Sequence, residues 1–375
     1  MRRRLNVLQL INVEWYNACA YYAVSLSYAL KKKGHKVIVA GDPHSPPLLK
    51  AKEMGLSVCD DLYLSHKDPW MIARNVKRMV NLVQKERIDV INAHRGEGHT
   101  IAALARSLFR LGVPLVRTRG DVRSPKGDLF GRLLNRGLTD RIITTCDILR
   151  TSYLTHLNMP QDKLINVPVG IDHDFFSPRD SDHTWWWNLS LPEGSLVVGI
   201  VGRLSPVKGH RFLIQAAEQV VRQIPDVIFI VCGEDAQINA AELKQEVGAI
   251  GLQEKFRFLG KVEDVREIIS LFDVGVVCSV GSETICRVAL EYMSMGKPVV
   301  GTRVNAIPEV VEHQVNGLLV EPGNADELAC ALVQLLQDDK RRREFGEASR
   351  RIVTGKFTLN LFAQQTEDVY FSLLG

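Results

Sequence analysis

The sequence predicts an α/β protein made of two doubly wound halves, each a parallel sheet covered on both faces by helices. Three observations predict this. Short apolar runs alternate with helical patterns through both halves. The alternation fails once, between Phe176 and Ser195, and then restarts. The 375 residues also exceed what one ordinary core fills. Apolar content of 46% and charged content of 24% match a soluble globular protein, and no apolar run approaches the roughly 20 residues that cross a bilayer.

In the first half, Leu5 to Ile11 reads as a strand, Ala18 to Lys33 as an amphipathic helix and Gly34 as its stop. Lys36 to Ala40 is a second strand, followed by a helix around Pro47 to Met54 and a partly extended Ser57 to Leu64. Trp70 to Glu86 is a helix, Asp89 to Ala93 a buried strand, His99 to Leu111 a helix and Pro114 to Arg119 a strand. Arg141 to Thr145 and Lys163 to Val167 close the set. The polar stretch 177–195, with Trp185 to Trp187 inside it, reads as a linker with a short helical entry.

The second half opens with the strand Leu196 to Val201, the helix His210 to Gln223 and the strand Val227 to Cys232. Ile238 to Ile250 is a helix, Phe256 to Leu259 a strand and Val265 to Ser270 a helix. A strand from Val274 to Cys278 leads into a helix expected to begin near Glu283 and end at Gly296. The strands Pro298 to Thr302 and Gly317 to Val320 and the helix Ala325 to Gln337 follow. Two such halves place a ligand cleft at the carboxyl ends of their sheets.

The N-terminal MRRRLNVLQLINVEWY has an apolar stretch interrupted by Asn6, Gln9 and Asn12, and reads as a strand, not a signal peptide. Seven scattered cysteines without CxxC pairs suit buried thiols in a reducing cytoplasm. A net charge of +4 does not by itself imply nucleic-acid binding.

Two stretches carry chemistry. The turn after Val201, GRLSPVKGH, combines a sharp backbone turn at Gly202 with the cations Arg203 and Lys208, which suit phosphate oxygens. In the helix expected from Glu283, Glu291 lies eight positions on, about 80° beyond two full turns, so both carboxylates face one side near an anion-accepting helix start. Walker and dinucleotide GxGxxG spacings are absent, which excludes the commonest ATPase and dehydrogenase readings. No DxD-type metal motif stands at a strand end; Asp60-Asp61 and Asp338-Asp339 read as surface pairs.

GRLSPVKG, the Cys232-Gly233-Glu234 turn, SETICRVALEYMSMGKPVV, IPEVV and NGLLVEPGN occur in an order that resembles the retaining glycosyltransferases of family four. The resemblance covers nearly the whole second half; in the first it rests on the opening strand-loop-helix, DVINAH and the VGID segment. It implies a GT-B fold of two Rossmann-like domains, a nucleotide-diphosphate sugar donor (a UDP-sugar first, with GDP- and ADP-sugars as alternatives), and neither a metal nor another cofactor. Arg203 and Lys208 would neutralise the diphosphate and Glu291 would hold the ribose hydroxyls. Glu283 would lie at the donor sugar, with the N–H groups of Thr284, Ile285 and Cys286 reaching sugar or phosphate. His94 would face the donor sugar, and Asn17 stands in the loop that approaches the diphosphate. The resemblance also implies a terminal helix, within residues 360–375, returning to a first domain of residues 1–176, from a second domain of 196–359.

The chain departs from the family at glycines. Asn17-Ala18 replaces a paired-glycine loop, Thr284 and Cys286 replace two glycines after the first glutamate, and Asn305-Ala306 replaces a Gly-Gly. Val169-Gly170 stands where Asn-Gly is frequent. The acceptor would sit on the first domain, where Arg117, Arg119, Asp121, Arg123, Lys126, Arg132 and Arg136 gather. A solvated basic surface is the plain reading; the sharper ones are an acidic acceptor, such as a phosphorylated glycolipid or lipopolysaccharide core, or an anionic membrane face. Trp185 to Trp187 offer a lipid-interface anchor or simple packing. The expected function is a cytoplasmic hexosyltransferase, peripheral on the inner membrane face, that modifies a cell-surface glycan or lipid. Its rivals are a GT-B nucleotide-sugar epimerase, a phosphorylase-like enzyme, which would need a pyridoxal lysine that no motif proposes, and a non-catalytic nucleotide-sugar-binding protein.

Overall fold

The computed structural model describes residues 2–66, 68–180 and 183–375. The chain divides into two compact units: Met1–Gly170 with Leu359–Gly375, and Ile171–Thr358.

Among the described residues, unit 1 holds seven parallel strands: β1 (Asn6–Leu10), β2 (Lys36–Ala40), β3 (Ser57–Cys59), β4 (Val90–Ala93), β5 (Leu115–Arg119), β6 (Arg141–Thr144) and β7 (Leu164–Asn166). Their order is β3-β2-β1-β4-β5-β6-β7, with Val7 opposite both Val37 and Val90. Central strands covered on both faces must be apolar throughout, and Val7, Leu8, Leu10, Val90 and Ile91 are fully buried. One face packs Leu8, Leu10 and Ile91 against Met79, Val80 and Ala102; the other packs Ile11 and Val39 against Ala23, Val24 and Leu48. The strand order reverses between β1 and β4, so the loops after these strands diverge and leave a crevice at their carboxyl ends.

The helix Leu359–Phe371 belongs to unit 1. The Phe362 ring meets Tyr22 edge-on at 4.7 Å. Leu5 N donates to His35 Nδ1 at 3.0 Å, which leaves Nε2–H to donate to Glu367 Oε1 at 2.5 Å; Lys33 Nζ lies 3.0 Å from the other oxygen.

Unit 2 holds, among the described residues, β8 (Leu196–Val201), β9 (Val227–Cys232), β10 (Phe256–Leu259), β11 (Val274–Val277), β12 (Val299–Thr302) and β13 (Gly317–Val320), all parallel. The order β10-β9-β8-β11-β12-β13 places its switch point between β8 and β11. The stretch read as a linker lies within this unit. Its helix His183–Asn188 is tied down by Trp185 Nε1–H donating to Glu267 Oε2 at 2.6 Å, and Arg257 Nε donates to Leu189 O at 2.6 Å. Trp187 is exposed.

Several elements differ from expectation. The helix expected at His99 starts at Gly96, because first-turn N–H groups need no intrahelical partner and polar residues there leave no apolar signature. The helix Asp147–Leu157 lies outside the expected elements, and the helix expected after the strand and loop at Arg119 takes the form of two short turns over 129–137, the second of them π. The helix expected near Glu283 begins only at Arg287. Ser282 and Cys286 sit in the left-handed region, at φ 58° and 48°, and keep residues 282–286 out of the helix. The shared helical face proposed for Glu283 and Glu291 is therefore corrected: Glu283 lies in the loop, Glu291 in the helix.

Candidate active site

The unit 2 site is assembled from the loops after β8, β9, β11 and β12. After β8, Gly202 leads through Arg203 and a single 3₁₀ turn, Pro206–Lys208, into Gly209 at φ 75° and the helix His210–Gln223. A Cβ on Gly209 would lie 1.9 Å from Cys278 O, so only glycine lets this loop pack on the end of β11. A Cβ on Gly233 would meet Gly202 O at 1.9 Å in the same way. These two approaches bring the three loops into one cluster.

There the Lys208 ammonium donates to Glu283 Oε1, which also accepts from Ser279 Oγ at 3.0 Å. Thr302 Oγ1 donates to Ser279 O at 2.5 Å and Ala306 N to Glu283 O at 2.9 Å, so β12 and the loop that follows it fix the Glu283 loop. Thr284, Ile285 and Cys286 are buried, whereas Arg203 is exposed. Burial pushes the Cys278 thiol up to about 12, so it is an inert hydrophobe here. Neither the helix His210–Gln223 nor the helix Arg287–Ser294 has a side-chain N-cap, and both present N–H groups at the switch point.

Glu291 is the unusual group. Its side chain is 1% exposed, Oε1 accepts from Arg287 Nε at 2.5 Å, and Oε2 is buried without a hydrogen-bond partner among the described residues. A buried carboxylate oxygen left unpaired is costly, and a hydrogen-bond donor brought to it would offset that cost. Arg287 escaped the sequence reading, although its spacing of four before Glu291 was a visible signal.

In unit 1, His94 follows β4 and its Nε2–H donates to Gln9 Oε1 at 2.7 Å. Burial, with the Arg117 charge nearby, brings its imidazole down to about 3, so the ring is neutral at ordinary pH. Gln9 Nε2 and Asn92 Nδ2 both donate to Tyr370 OH, at 3.3 and 2.8 Å, and Thr118 Oγ1 donates to Asn92 Oδ1 at 2.9 Å. The returning helix thus ends a buried chain of polar groups under His94. Nothing in the local sequence pattern marked Gln9, Asn92 or Tyr370 as linked. Asn17 caps the helix Ala18–Lys32, its Oδ1 accepting from Ala20 N at 3.1 Å.

The basic residues separate into two sets. Arg119, Asp121 and Arg123 gather at the end of β5: Arg119 NH2 donates to Arg123 O, and Arg123 Nε donates to Asp121 Oδ2 at 2.9 Å. Arg95, not singled out from the sequence, lies 3.3 Å from the same carboxylate. Burial pushes the Asp121 carboxyl up, but the Arg123 hydrogen bonds outweigh it and hold the group at about 2. Among the described residues, Arg95 Nε, Arg119 Nε and Asn12 Oδ1 are buried without hydrogen-bond partners. Arg117 lies beneath them, buried, its NH1 donating to Ala93 O at 2.8 Å. Burial lowers its guanidinium to about 10, and it stays cationic at neutral pH. Lys126 and Arg132 are both exposed and, among the described residues, make no hydrogen bond or ion pair with this cluster; Arg132 Nε donates to Gly127 O at 2.9 Å. Among the described residues no group of three or more His, Cys, Asp or Glu is placed to hold a metal ion, and no helix is long and apolar enough to cross a membrane.

Two Rossmann-like parallel sheets, the second with a cationic loop and two carboxylates at its switch point, define a glycosyltransferase of the GT-B class. The chain belongs to the group 1, family 4 glycosyltransferases: the model for glycosyl transferases group 1 matches residues 195–338, and that for Glycosyltransferase Family 4 matches residues 20–175. It is 26% identical over 302 residues to the N-acetyl-alpha-D-glucosaminyl L-malate synthase of Bacillus anthracis, covering 79% of this chain and 78% of that one. It is likewise 26% identical over 307 residues to the D-inositol 3-phosphate glycosyltransferase of Corynebacterium glutamicum, covering 74% and 72%. The fold is similar to that of HepE from Anabaena, solved in complex with UDP, with a TM-score of 0.87, 23% identity and 98% and 100% of the two chains covered.

Proposed function

We propose that this glycosyltransferase moves a sugar, with retention and without a metal ion, from a nucleotide-diphosphate sugar to an acidic acceptor on the way to a cell-surface glycan or glycolipid. The observation that carries the donor half is Glu291 Oε2, a buried oxygen awaiting a hydroxyl, set in the helix that follows the Lys208–Glu283 pair. In this reading a ribose hydroxyl donates to Glu291. The diphosphate lies against Arg203, Lys208 and the uncapped helix starts, and competes with Glu283 for the Lys208 ammonium. Glu283, released or shared, and the N–H groups of Thr284, Ile285 and Cys286 then serve the sugar. The Gly202 turn sets the distance, and Asn17 stands in the unit 1 loop read as serving the diphosphate. A UDP-sugar is the donor taken first, since UDP is the nucleotide named with HepE.

The acceptor reading rests on the two buried, unpartnered guanidinium nitrogens beside Asp121. An anionic group on the acceptor would satisfy Arg95 and Arg119, with Arg123 and Asp121 holding them in place. Both relatives carry an anion in their names, a malate and an inositol phosphate. A phosphorylated glycolipid or a lipopolysaccharide-core sugar fits the same chemistry, and the chain would meet such an acceptor as a cytoplasmic protein peripheral to the inner membrane face, through the side that bears Lys126 and Arg132.

In the transfer itself, the leaving diphosphate takes the acceptor proton on the sugar face it departs from. The protein supplies position and charge: Lys208 and Arg203 stabilise the leaving group, and His94, neutral and oriented by Gln9, offers a hydrogen bond rather than a positive charge. The test is thermal-shift stabilisation by UDP, GDP and ADP with the wild type, Glu291→Ala and Lys208→Ala. One nucleotide at about 100 times its dissociation constant should stabilise the wild type by roughly 2.7 kcal/mol, and both variants should lose the effect. No stabilisation by any nucleotide or nucleotide sugar sinks the donor assignment. The anomeric configuration of the product, read by NMR, tests retention.

A further inference from the structure

Residues 120–137 of unit 1 form a loop and two short helical turns; Asp121 and Arg123 serve the acceptor in the reading above, whereas the exposed apolar residues of the segment take no part in the transfer. The α turn Leu129–Arg132 runs directly into the π turn Leu133–Gly137. Leu129 is 86% exposed, Phe130 53% and Leu133 54%, and Val122 in the preceding loop is 43% exposed. At roughly 100° per residue, Leu129, Leu133 and Phe130 fall within about 100° of one another, with Arg132 and Arg136 on the adjoining flank. Gly131, Leu134 and Asn135 occupy the opposite, buried face. The exposed apolar side chains therefore do not result from fraying; this turn has a core-facing side and a second apolar side.

The segment is also held rigidly. Asp128 Oδ1 accepts from Gly131 N at 2.6 Å, and a Cβ on Gly131 would lie 2.2 Å from Lys126 O, so loop and turn are locked together. Arg132 Nε donates to Gly127 O at 2.9 Å, and Lys163 Nζ donates to Arg136 O at 2.9 Å, adding a cation beside the turn. Lys126, Arg132 and Arg136 are exposed around the apolar residues. The two acids of the segment are both engaged, Asp128 in capping Gly131 and Asp121 with Arg95 and Arg123.

We propose that Val122, Leu129, Phe130 and Leu133 insert into the headgroup–acyl boundary of an anionic bilayer while Lys126, Arg132 and Arg136 meet its phosphates. This rests on the peripheral reading given above and names the surface that carries it. Charge complementarity selects this occupant: an apolar patch meant for a second copy would bring the same three cations against themselves, whereas an anionic lipid surface attracts each of them. Apolar insertion and a basic rim together give the two signals that stable peripheral binding needs.

The experiment is co-sedimentation of the full chain with vesicles of phosphatidylcholine alone and of phosphatidylcholine with phosphatidylglycerol. The proteins are the wild type, Leu129→Ser/Phe130→Ser/Leu133→Ser, and Arg136→Glu. Far-UV circular dichroism and nucleotide stabilisation show that the variants are folded and keep the donor site. The wild type should bind the anionic vesicles, less tightly as salt rises, and bind neutral ones weakly. The triple variant should lose roughly tenfold or more in partitioning, and Arg136→Glu a smaller factor. Equal binding by wild type and triple variant, or no binding to anionic vesicles, overturns the proposal. A concentration-dependent dimer abolished by the serines, without vesicle binding, makes a second copy the partner and overturns it too. Vesicle binding is read without sugar transfer, so the result stands apart from failure of the proposed reaction.

Discussion

Changing Glu291 to glutamine separates a binding role from a structural one, because the two predict opposite patterns. Glu291 Oε1 accepts from Arg287, and Oε2 has no partner among the described residues. Glutamine keeps the shape and the acceptor toward Arg287, and places an uncharged amide where the orphan oxygen stood. Removing a charge from a site that is 1% exposed relieves desolvation. Weakening the bond to Arg287, which is about one-third exposed, costs in the other direction, and solvent screening keeps that cost small. Ligand-free stability should therefore stay within about 1 kcal/mol of the wild type. Nucleotide affinity should not. A hydroxyl bonded to a carboxylate gains about 1–2 kcal/mol more than one bonded to a neutral amide, so UDP binding should weaken roughly 5- to 30-fold. Isothermal titration with UDP and urea unfolding of the free protein measure the two quantities side by side. A stability loss above about 2 kcal/mol with unchanged UDP affinity would show that the pair with Arg287 is the whole role of Glu291, and the donor reading would fall.

Tyr370→Phe removes the common acceptor of Gln9 and Asn92 and leaves two buried amide donors unpaired. The expected loss is about 1–3 kcal/mol in urea unfolding, with a mixed His94 tautomer by nitrogen NMR where the wild type shows a single Nε2–H form; an unchanged midpoint would mean that water replaces the hydroxyl. Acid should destabilise the protein well before its carboxylates protonate. The folded His94 imidazole sits at about 3, below its ordinary value of about 6.5. The unfolded chain therefore takes up a proton in that window and the folded chain does not, so the contribution is complete above the ordinary histidine value and shrinks by at most about 1.4 kcal/mol per pH unit below it. His99, also lowered well by burial, acts in the same direction; flat stability between pH 7 and 5 would refute both. Cys286→Gly should be tolerated within about 1 kcal/mol, because relief at φ 48° offsets the lost buried thiol, whereas Cys286→Val should cost about 2 kcal/mol or more in thermal unfolding.

The two sheets were legible because parallel strands buried on both faces must be apolar along their whole length, and runs such as LVVGIV and VIFIVC leave no other reading. The cationic loop was legible for a different reason: Gly202, Arg203 and Lys208 stand close together in sequence directly after a strand, where open α/β sheets bind ligands. What escaped was what depends on contacts distant in sequence. Tyr370 reaches Gln9 across 361 positions, and no local pattern announces such a bond. The departures from family glycines read differently once the backbone is known. Cys286 and Asn305 both adopt left-handed conformations, at φ 48° and 46°, the region where glycine is unstrained. At those two points the chain takes a backbone conformation that glycine makes easy and carries side chains there, one a buried thiol and the other asparagine, a residue type that tolerates that region. The left-handed backbone at Cys286 stands at the end of the loop that carries Glu283 and directly before the helix Arg287–Ser294, so the substituted residue stands where that loop turns into the helix.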